Sequence, residues 1–186
     1  MAGKQVIIDA CSALNLLATG RSVELLRALG WSLLVLPEVR QEALRLRGPP
    51  DDEGEPTWLP VDWSPLEKSS LVTLHVGAFS SESFLDAFVV AAEFLTDVDA
   101  TAVALAGSLG KPLLSDDGKV RRTFQQLHPA LELHATLSVI RDASERLGLG
   151  TGAIREMLMA LHHKARFAPP KRDPLRDWYQ EHLSRG

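Results

Sequence analysis

Val6-Ile7-Ile8-Asp9 constrains the fold of this chain more than any other stretch. Three consecutive β-branched residues form a short, wholly apolar run, the pattern of a strand buried on both faces. The run stops on a carboxylate. The stretch Lys4 to Leu17, KQVIIDACSALNLL, then passes directly into a helix-like apolar pattern carrying Leu14, Leu16 and Leu17. A buried strand that ends on an acid and turns into a helix is characteristic of α/β folds, which place their chemistry at the carboxyl ends of parallel strands.

The rest of the chain repeats this alternation. Leu14 to Leu29 reads as helix with a break near Thr19-Gly20, and Gly30 is placed to cap it. Trp31 to Leu36 is a second apolar strand, and Pro37 opens a helix running from about Glu38 to Arg47. Gly48 to Pro60, GPPDDEGEPTWLP, has no period and reads as an exposed, solvated loop despite its four acids. A short strand is expected near Leu71-Val72-Thr73-Leu74. Two helices follow, Ser83 to Leu95, apolar enough to be largely buried, and Asp99 to Leu109, rich in small residues, with Asp99 placed to cap or begin it. Lys111 to Leu114 is a strand ending in Ser115-Asp116-Asp117-Gly118. A helix from Lys119 to Leu127, a strand at Leu131 to Leu133 and a helix from Leu137 to Leu147 come next. Such alternation predicts an α/β fold, a three-layer sandwich with a central parallel sheet and helices on both faces. Residues 1–135 would form the main domain, and residues 136–186 a C-terminal helical extension packed on it: a helix from Ala153 to Phe167, a break at Pro169-Pro170 and a segment with Trp178 and Tyr179.

The 186 residues, 45% hydrophobic and 24% charged, can bury a real core. No apolar run is long enough to cross a bilayer and no signal-peptide pattern opens the chain, so no membrane association is expected and the cytoplasm is the expected location. Cys11 is the single cysteine, which excludes an internal disulfide, and it reads as a small buried hydrophobe rather than a nucleophile. The net charge of -4 excludes a protein that wraps nucleic acid by charge alone. The charge is uneven: residues 1–135 hold 11 Lys and Arg against 18 Asp and Glu, and residues 136–186 hold 9 against 6.

The acids carry the functional signal. Asp9 ends the first strand, Glu42 lies in the helix after the second, Asp99 starts a helix, and Asp116 and Asp117 follow a later strand. In a parallel sheet these positions lie along one edge. Clustered carboxylates repel and raise one another's pKa unless a cation neutralises them, and hard oxygen ligands suit Mg²⁺ or Mn²⁺. Taken singly, each acid also has an ordinary reading: Asp99 as a helix cap, Asp116-Asp117-Gly118 as a turn, Glu42 as part of a solvated face. The histidines add nothing comparable. His162 and His163 are adjacent in a helix and face apart, and His128 and His134 read as ordinary. Neither Ser12 nor Ser115 has the context of a catalytic triad, and there is no phosphate-binding glycine loop.

Four of these segments, in order, resemble the PIN-domain nucleases, the family that includes VapC-like toxin ribonucleases. VIIDACSALNLL resembles the first strand with its leading acid, and LPEVRQEAL the second motif with Glu42. DVDATAVALA resembles the helix-opening acid, with Asp99 in better register than Asp97, and KPLLSDDGKVRR the hydroxyl-x-acid turn with Ser115 and Asp117. The resemblance implies a divalent-metal-dependent endoribonuclease that hydrolyses RNA phosphodiester bonds by a metal-activated water. Asp9, Asp99 and Asp117 would hold Mg²⁺ or Mn²⁺, with Asp116 as an alternative or additional ligand. Glu42 would complete the catalytic set directly or through water. Ser115, Asp97 and Ser12 would be supporting residues; Ser12 offers the hydroxyl that Cys11, two residues after the leading acid, does not. Arg121 and Arg122 are candidates for contact with the RNA backbone. A cognate antitoxin and a homodimer are the partners this family implies besides RNA. Two other classes remain open: a catalytically inactive PIN-like module that binds RNA or protein, and another Mg²⁺-dependent α/β phosphatase or receiver-like domain. The second lacks its expected acid two residues after Asp9, where Cys11 stands. Residues 136–186 could add packing, a dimer contact, or RNA or partner binding.

Overall fold

In a computed structural model describing residues 3–77 and 79–184, Val6, Ile7 and Ile8 are fully buried at the centre of the protein. They belong to β1 (Lys4–Ile8), the middle strand of a five-stranded sheet that also contains β2 (Trp31–Val35), β5 (Val72–Leu74), β6 (Leu113–Leu114) and β7 (Leu133–His134). The order is β5-β2-β1-β6-β7 and every pairing is parallel. Ile7 and Ile8 are in register with Leu113 and Leu114 on one side, and Val6 and Ile7 with Leu33 and Leu34 on the other. The chain steps outward from β1 to β2 and β5, then returns across the sheet to β6. Strand order therefore reverses between β1 and β6, where an open α/β sheet leaves a crevice at its carboxyl edge.

Two groups of helices flank the sheet. α8 (Thr136–Leu147) packs on both α1 (Ala10–Ala18) and α2 (Ser22–Leu29), and α4 (Ser64–Lys68) joins α2. α5 (Glu82–Ala92) packs on α6 (Asp97–Leu109), which packs on α7 (Gly118–Leu127). α9 (Thr151–Lys164) lies on α1, and α10 (Arg176–Ser184) lies on α9. Leu137, Ile140, Met157, Leu158, Leu161 and Tyr179 join the same buried cluster as β1, so residues beyond 135 share the core of the rest. The outer ends of the two predicted units, residues 1–2 and 185–186, lie outside the described residues, as does residue 78. Among the described residues no helix is long and apolar enough to cross a membrane.

The α1–α2 break falls at Thr19-Gly20, as predicted. The Thr19 hydroxyl donates to the Leu16 carbonyl at 2.6 Å, and Gly20 takes a left-handed φ of 69°. Gly30 ends α2 in the same left-handed region, with φ 69°, and its carbonyl accepts from the Lys4 amide at 2.9 Å, which ties the start of β1 to the end of α2.

Several expectations are corrected. The helix opened by Pro37 is only α3 (Pro37–Glu42); Ala43 leaves helical geometry at ψ 62°. The chain then enters an antiparallel hairpin, β3 (Arg45–Pro50) with β4 (Pro56–Pro60), where a loop was predicted. Prolines are tolerated because both strands of a two-stranded ribbon are edges. Asp51 closes the turn by accepting from the Glu53 and Glu55 amides. The α5 segment is only half buried: Phe84, Ala87 and Ala91 face the core, whereas Leu85, Val89, Val90 and Phe94 are exposed. α6 begins two residues earlier than predicted, and its cap is Thr96 rather than Asp99; the Thr96 hydroxyl accepts from the Asp99 amide at 3.3 Å.

A candidate acidic site at the carboxyl edge of the sheet

Asp9 follows β1 and caps α1. Its backbone amide donates to the Leu114 carbonyl at 3.2 Å, which pins the end of β1 to the end of β6. One carboxylate oxygen, Oδ1, accepts from the Ser12 amide at 2.7 Å. The other, Oδ2, is buried and has no hydrogen-bond partner among the described residues. The residue is 2% exposed. Burial pushes its pKa up to about 6; the hydroxyl of Ser115 nearby and the amide and hydroxyl of Ser12 draw it back, and the Asp116 charge adds to the rise.

Asp116 sits across from it, after β6, and is held on every side. Its Oδ2 accepts from Asn15 Nδ2 at 2.8 Å, from the Ser12 hydroxyl at 3.3 Å and from the Thr136 hydroxyl. Its Oδ1 accepts from the Thr136 amide at 2.8 Å, and its own amide donates to Ser12 Oγ at 2.9 Å. This carboxylate thereby joins α1, the β6 end and the start of α8. Asn15 and Thr136 escaped the sequence reading. Ser12 and Asn15 form the polar pair of an otherwise apolar helix and lie one turn apart, which was the available signal for Asn15. Thr136 stands just past β7, the same strand-end position that drew attention to the acids.

Asp117 is exposed and caps α7; Oδ1 takes both capping bonds, from Lys119 N at 2.7 Å and Val120 N at 3.0 Å. Asp99, half buried near the start of α6, accepts from the Thr96 hydroxyl at 2.9 Å. Its pKa is raised by burial first, is drawn down by Thr96, and is raised again by the Asp117 charge. Asp116 thus acts on Asp9, and Asp117 on Asp99. Cys11 ties the two pairs together. It is exposed, contrary to the expectation of a buried hydrophobe, because the first turn of α1 turns it outward from the core. Its thiol is pushed up to about 11, first by partial desolvation and then by the charges of Asp9, Asp99, Asp117 and Asp116. A thiol held protonated in this way is no nucleophile at neutral pH.

The remaining predicted residues divide. Ser115 is fully buried and its hydroxyl accepts from the Asp117 amide at 3.2 Å, so it braces the turn. Asp97 is the exposed first residue of α6, two positions before Asp99. Glu42 is exposed at the carboxyl end of the shortened α3, and its charge is not among those that raise the pKa of Asp9, Asp99 or Cys11. Arg121 works inside the fold: one guanidinium nitrogen donates to both the Ser115 and His134 carbonyls at 2.8 Å, clamping the ends of β6 and β7, where an RNA contact was expected. Arg122 is exposed.

Among the described residues none of the four acids forms an ion pair. Nor are any three His, Cys, Asp or Glu side chains gathered tightly enough to hold an ion by themselves. Mg²⁺ keeps several waters and needs only one or two direct carboxylates, so a looser ring of acids fits its chemistry. The unpaired Oδ2 of Asp9 is the group most in need of a cation. A cavity of about 770 Å³ lies elsewhere, between α2 and the hairpin, and is lined by none of these acids.

Three outcomes follow from this geometry. Asp116→Ala strands the Asn15 amide and the Thr136 amide and hydroxyl, and should lower the urea unfolding free energy by about 2–4 kcal/mol, since each unpaired buried donor costs ~1–3 kcal/mol. Asp117→Ala removes an exposed cap and should cost ~1 kcal/mol. For metal-free protein, the Asp9 pKa is higher folded than unfolded, so folding favours the protonated acid. Stability from this group is therefore full below about 4 and is lost as the pH rises through about 6. Urea midpoints measured across that range should fall with pH in the wild type, and the decline should be smaller in Asp9→Asn.

No protein-family model matches the chain, and no curated protein matches it.

Proposed function

We propose that this protein is a divalent-metal-dependent endoribonuclease of PIN type, acting on RNA phosphodiester bonds with Mg²⁺ or Mn²⁺. One observation carries the reading: four carboxylates, from positions as far apart as Asp9 and Asp117, all lie close enough for their charges to act on Cys11, and among the described residues no cationic side chain pairs with them. Uncompensated charge of that density is costly and is relieved by a divalent ion. The sheet's reversal between β1 and β6, where α/β folds bind ligands, and the ordered resemblance of four sequence segments add support.

In this reading Asp9 would supply the primary ligand through its free Oδ2, and Asp99 near the start of α6 and Asp117 at the cap of α7 would supply the others. A bound Mg²⁺ or Mn²⁺ would polarise the phosphate and lower the pKa of the attacking water. The protein's own part is positional. Asp116, locked by Ser12, Asn15 and Thr136, fixes the distance between α1 and the β6 turn. Ser115 holds the turn that presents Asp117. Asp9, with its pKa near 6, keeps enough charge at neutral pH to hold a cation and gains more when one binds. The toxin role, with a cognate antitoxin, belongs to the same proposal, as does a homodimer; the exposed row Leu85, Val89, Val90 and Phe94 offers such partners an apolar surface.

A second reading, an RNA- or protein-binding module without catalysis, is favoured by the internal hydrogen bonding of Asp116. The two are separated by incubating a mixed single-stranded and structured RNA pool with the protein in Mg²⁺, in Mn²⁺ and in EDTA. The nuclease reading predicts cleavage that EDTA abolishes and that Asp9→Asn reduces by at least about 100-fold, roughly the loss when a charge-stabilising group is removed. Binding of the pool with no cleavage in either metal would favour the module.

A further inference from the structure

A second cleft, of about 410 Å³, includes Asp116 in its lining. Its walls come from two distant parts of the chain. Arg121, Arg122 and Gln125 line it from α7, and Pro170, Arg172 and Asp173 line it from the strap between α9 and α10. We propose that this cleft binds the phosphodiester backbone of a single-stranded RNA and that Arg122 and Arg172 grip it, which gives the C-terminal extension a direct part in substrate binding. The inference rests on the nuclease reading for the nature of the strand.

The cationic groups are available. Arg122 and Arg172 are both exposed, and among the described residues neither makes a hydrogen bond or an ion pair. The carboxylates in the cleft are already engaged. Asp116 is saturated by Ser12, Asn15 and Thr136, and Asp173 accepts from the Leu175 amide at 2.7 Å. Arg121 has its own task at the strand ends. Two free guanidiniums therefore remain at the mouth, and a guanidinium presents the planar fork that matches phosphate oxygens.

The strap that carries Arg172 is well anchored. Pro169 is buried, and its carbonyl accepts from Arg176 at 3.1 Å; the Phe167 carbonyl accepts from the Tyr179 hydroxyl at 3.1 Å; the Asp173 amide donates to the Pro170 carbonyl at 3.0 Å. Arg172 is thus held opposite Arg122 instead of ranging over the surface. Arg172 belongs to the part of the chain beyond residue 135 that carries the basic surplus. The acidic edge repels a bare phosphate backbone, so a neighbouring cationic groove is needed to bring one close.

The test is fluorescence anisotropy with a labelled single-stranded RNA in EDTA, using the full chain. Wild type is compared with Arg122→Ala/Arg172→Ala and with Arg27→Ala/Arg45→Ala, which removes equal charge outside the cleft. The cleft double variant should bind at least about 10-fold more weakly, and the slope of log affinity against log salt should shrink by roughly 1.4, or 0.7 for each phosphate no longer neutralised. The control pair should change neither. No RNA binding by wild type, or equal losses in both pairs, would overturn the proposal. Inorganic phosphate is titrated in parallel: if the cleft variant loses phosphate binding but keeps its RNA affinity, the groove serves free phosphate and the strand assignment falls. Binding that depends on Arg122 and Arg172 without metal-dependent cleavage would uphold the groove and sink the nuclease. Cleavage by wild type with unchanged RNA affinity in the double variant would do the reverse.

Discussion

The parallel pairing of β1 with β6 is the constraint on which the rest depends. Ile8 lies beside Leu114, and the Asp9 amide reaches the Leu114 carbonyl, so the residues that leave the two strands emerge side by side. Asp9 and Asp116 meet for that reason, although more than a hundred positions separate them. The pairing requires the chain to cross back over the sheet after β5, and α5 and α6 make that crossing. Asp99 then arrives near the start of α6, close enough for its charge to act on Cys11. One backbone decision thus sets three of the four carboxylates in place, and the cap of α7 supplies the fourth.

Holding the acids together has a structural cost that the fold meets in two ways. Asp116 and Asp117 are satisfied by hydrogen bonds from Asn15, Ser12, Thr136 and the α7 amides, so their charges are spread over fixed dipoles. Asp9 and Asp99 are satisfied less completely and have raised pKa values. In the proposed site Asp116 is the architectural acid, while Asp9, Asp99 and the exposed Asp117, whose capping bonds engage only Oδ1, are left to face a ligand. The C-terminal extension belongs to both sides of this arrangement: Thr136, the first residue of α8, locks Asp116, and Arg172 overlooks the adjoining cleft.

Much of this was legible in the residues, and the failures have physical causes. Val6-Ile7-Ile8 and Trp31 to Val35 are strongly apolar runs, and runs of that kind have few alternatives to a buried parallel strand. Gly30 and Pro37 punctuate as their backbone chemistry demands. The hairpin at Arg45 to Pro60 was hidden because prolines argue against strands, a rule that lapses where every strand is an edge. α5 misled because its residues are apolar around much of the helix, so composition could not say that Leu85 and Val89 face outward. Cys11 looked like core because it follows a buried strand, yet it lies in the first helical turn past the edge. For the site, the strand-end positions of Asp9, Asp116 and Asp117 could be read directly. The hub role of Asp116 could not, since it depends on Thr136 arriving from beyond β7. The early end of α3 at Glu42 was not legible, because Ala43-Leu44-Arg45-Leu46 continues an apolar helical spacing that the chain abandons for the hairpin.

The central claim is that these acids hold a divalent cation. The most direct test is to grow crystals in saturating Mn²⁺ and locate the ion by its anomalous scattering. The account predicts a peak within coordination distance of the Asp9 carboxylate and within one water of Asp99 and Asp117, absent from crystals of Asp9→Asn. No peak at the acids, or a peak only at some other surface of the molecule, would contradict it.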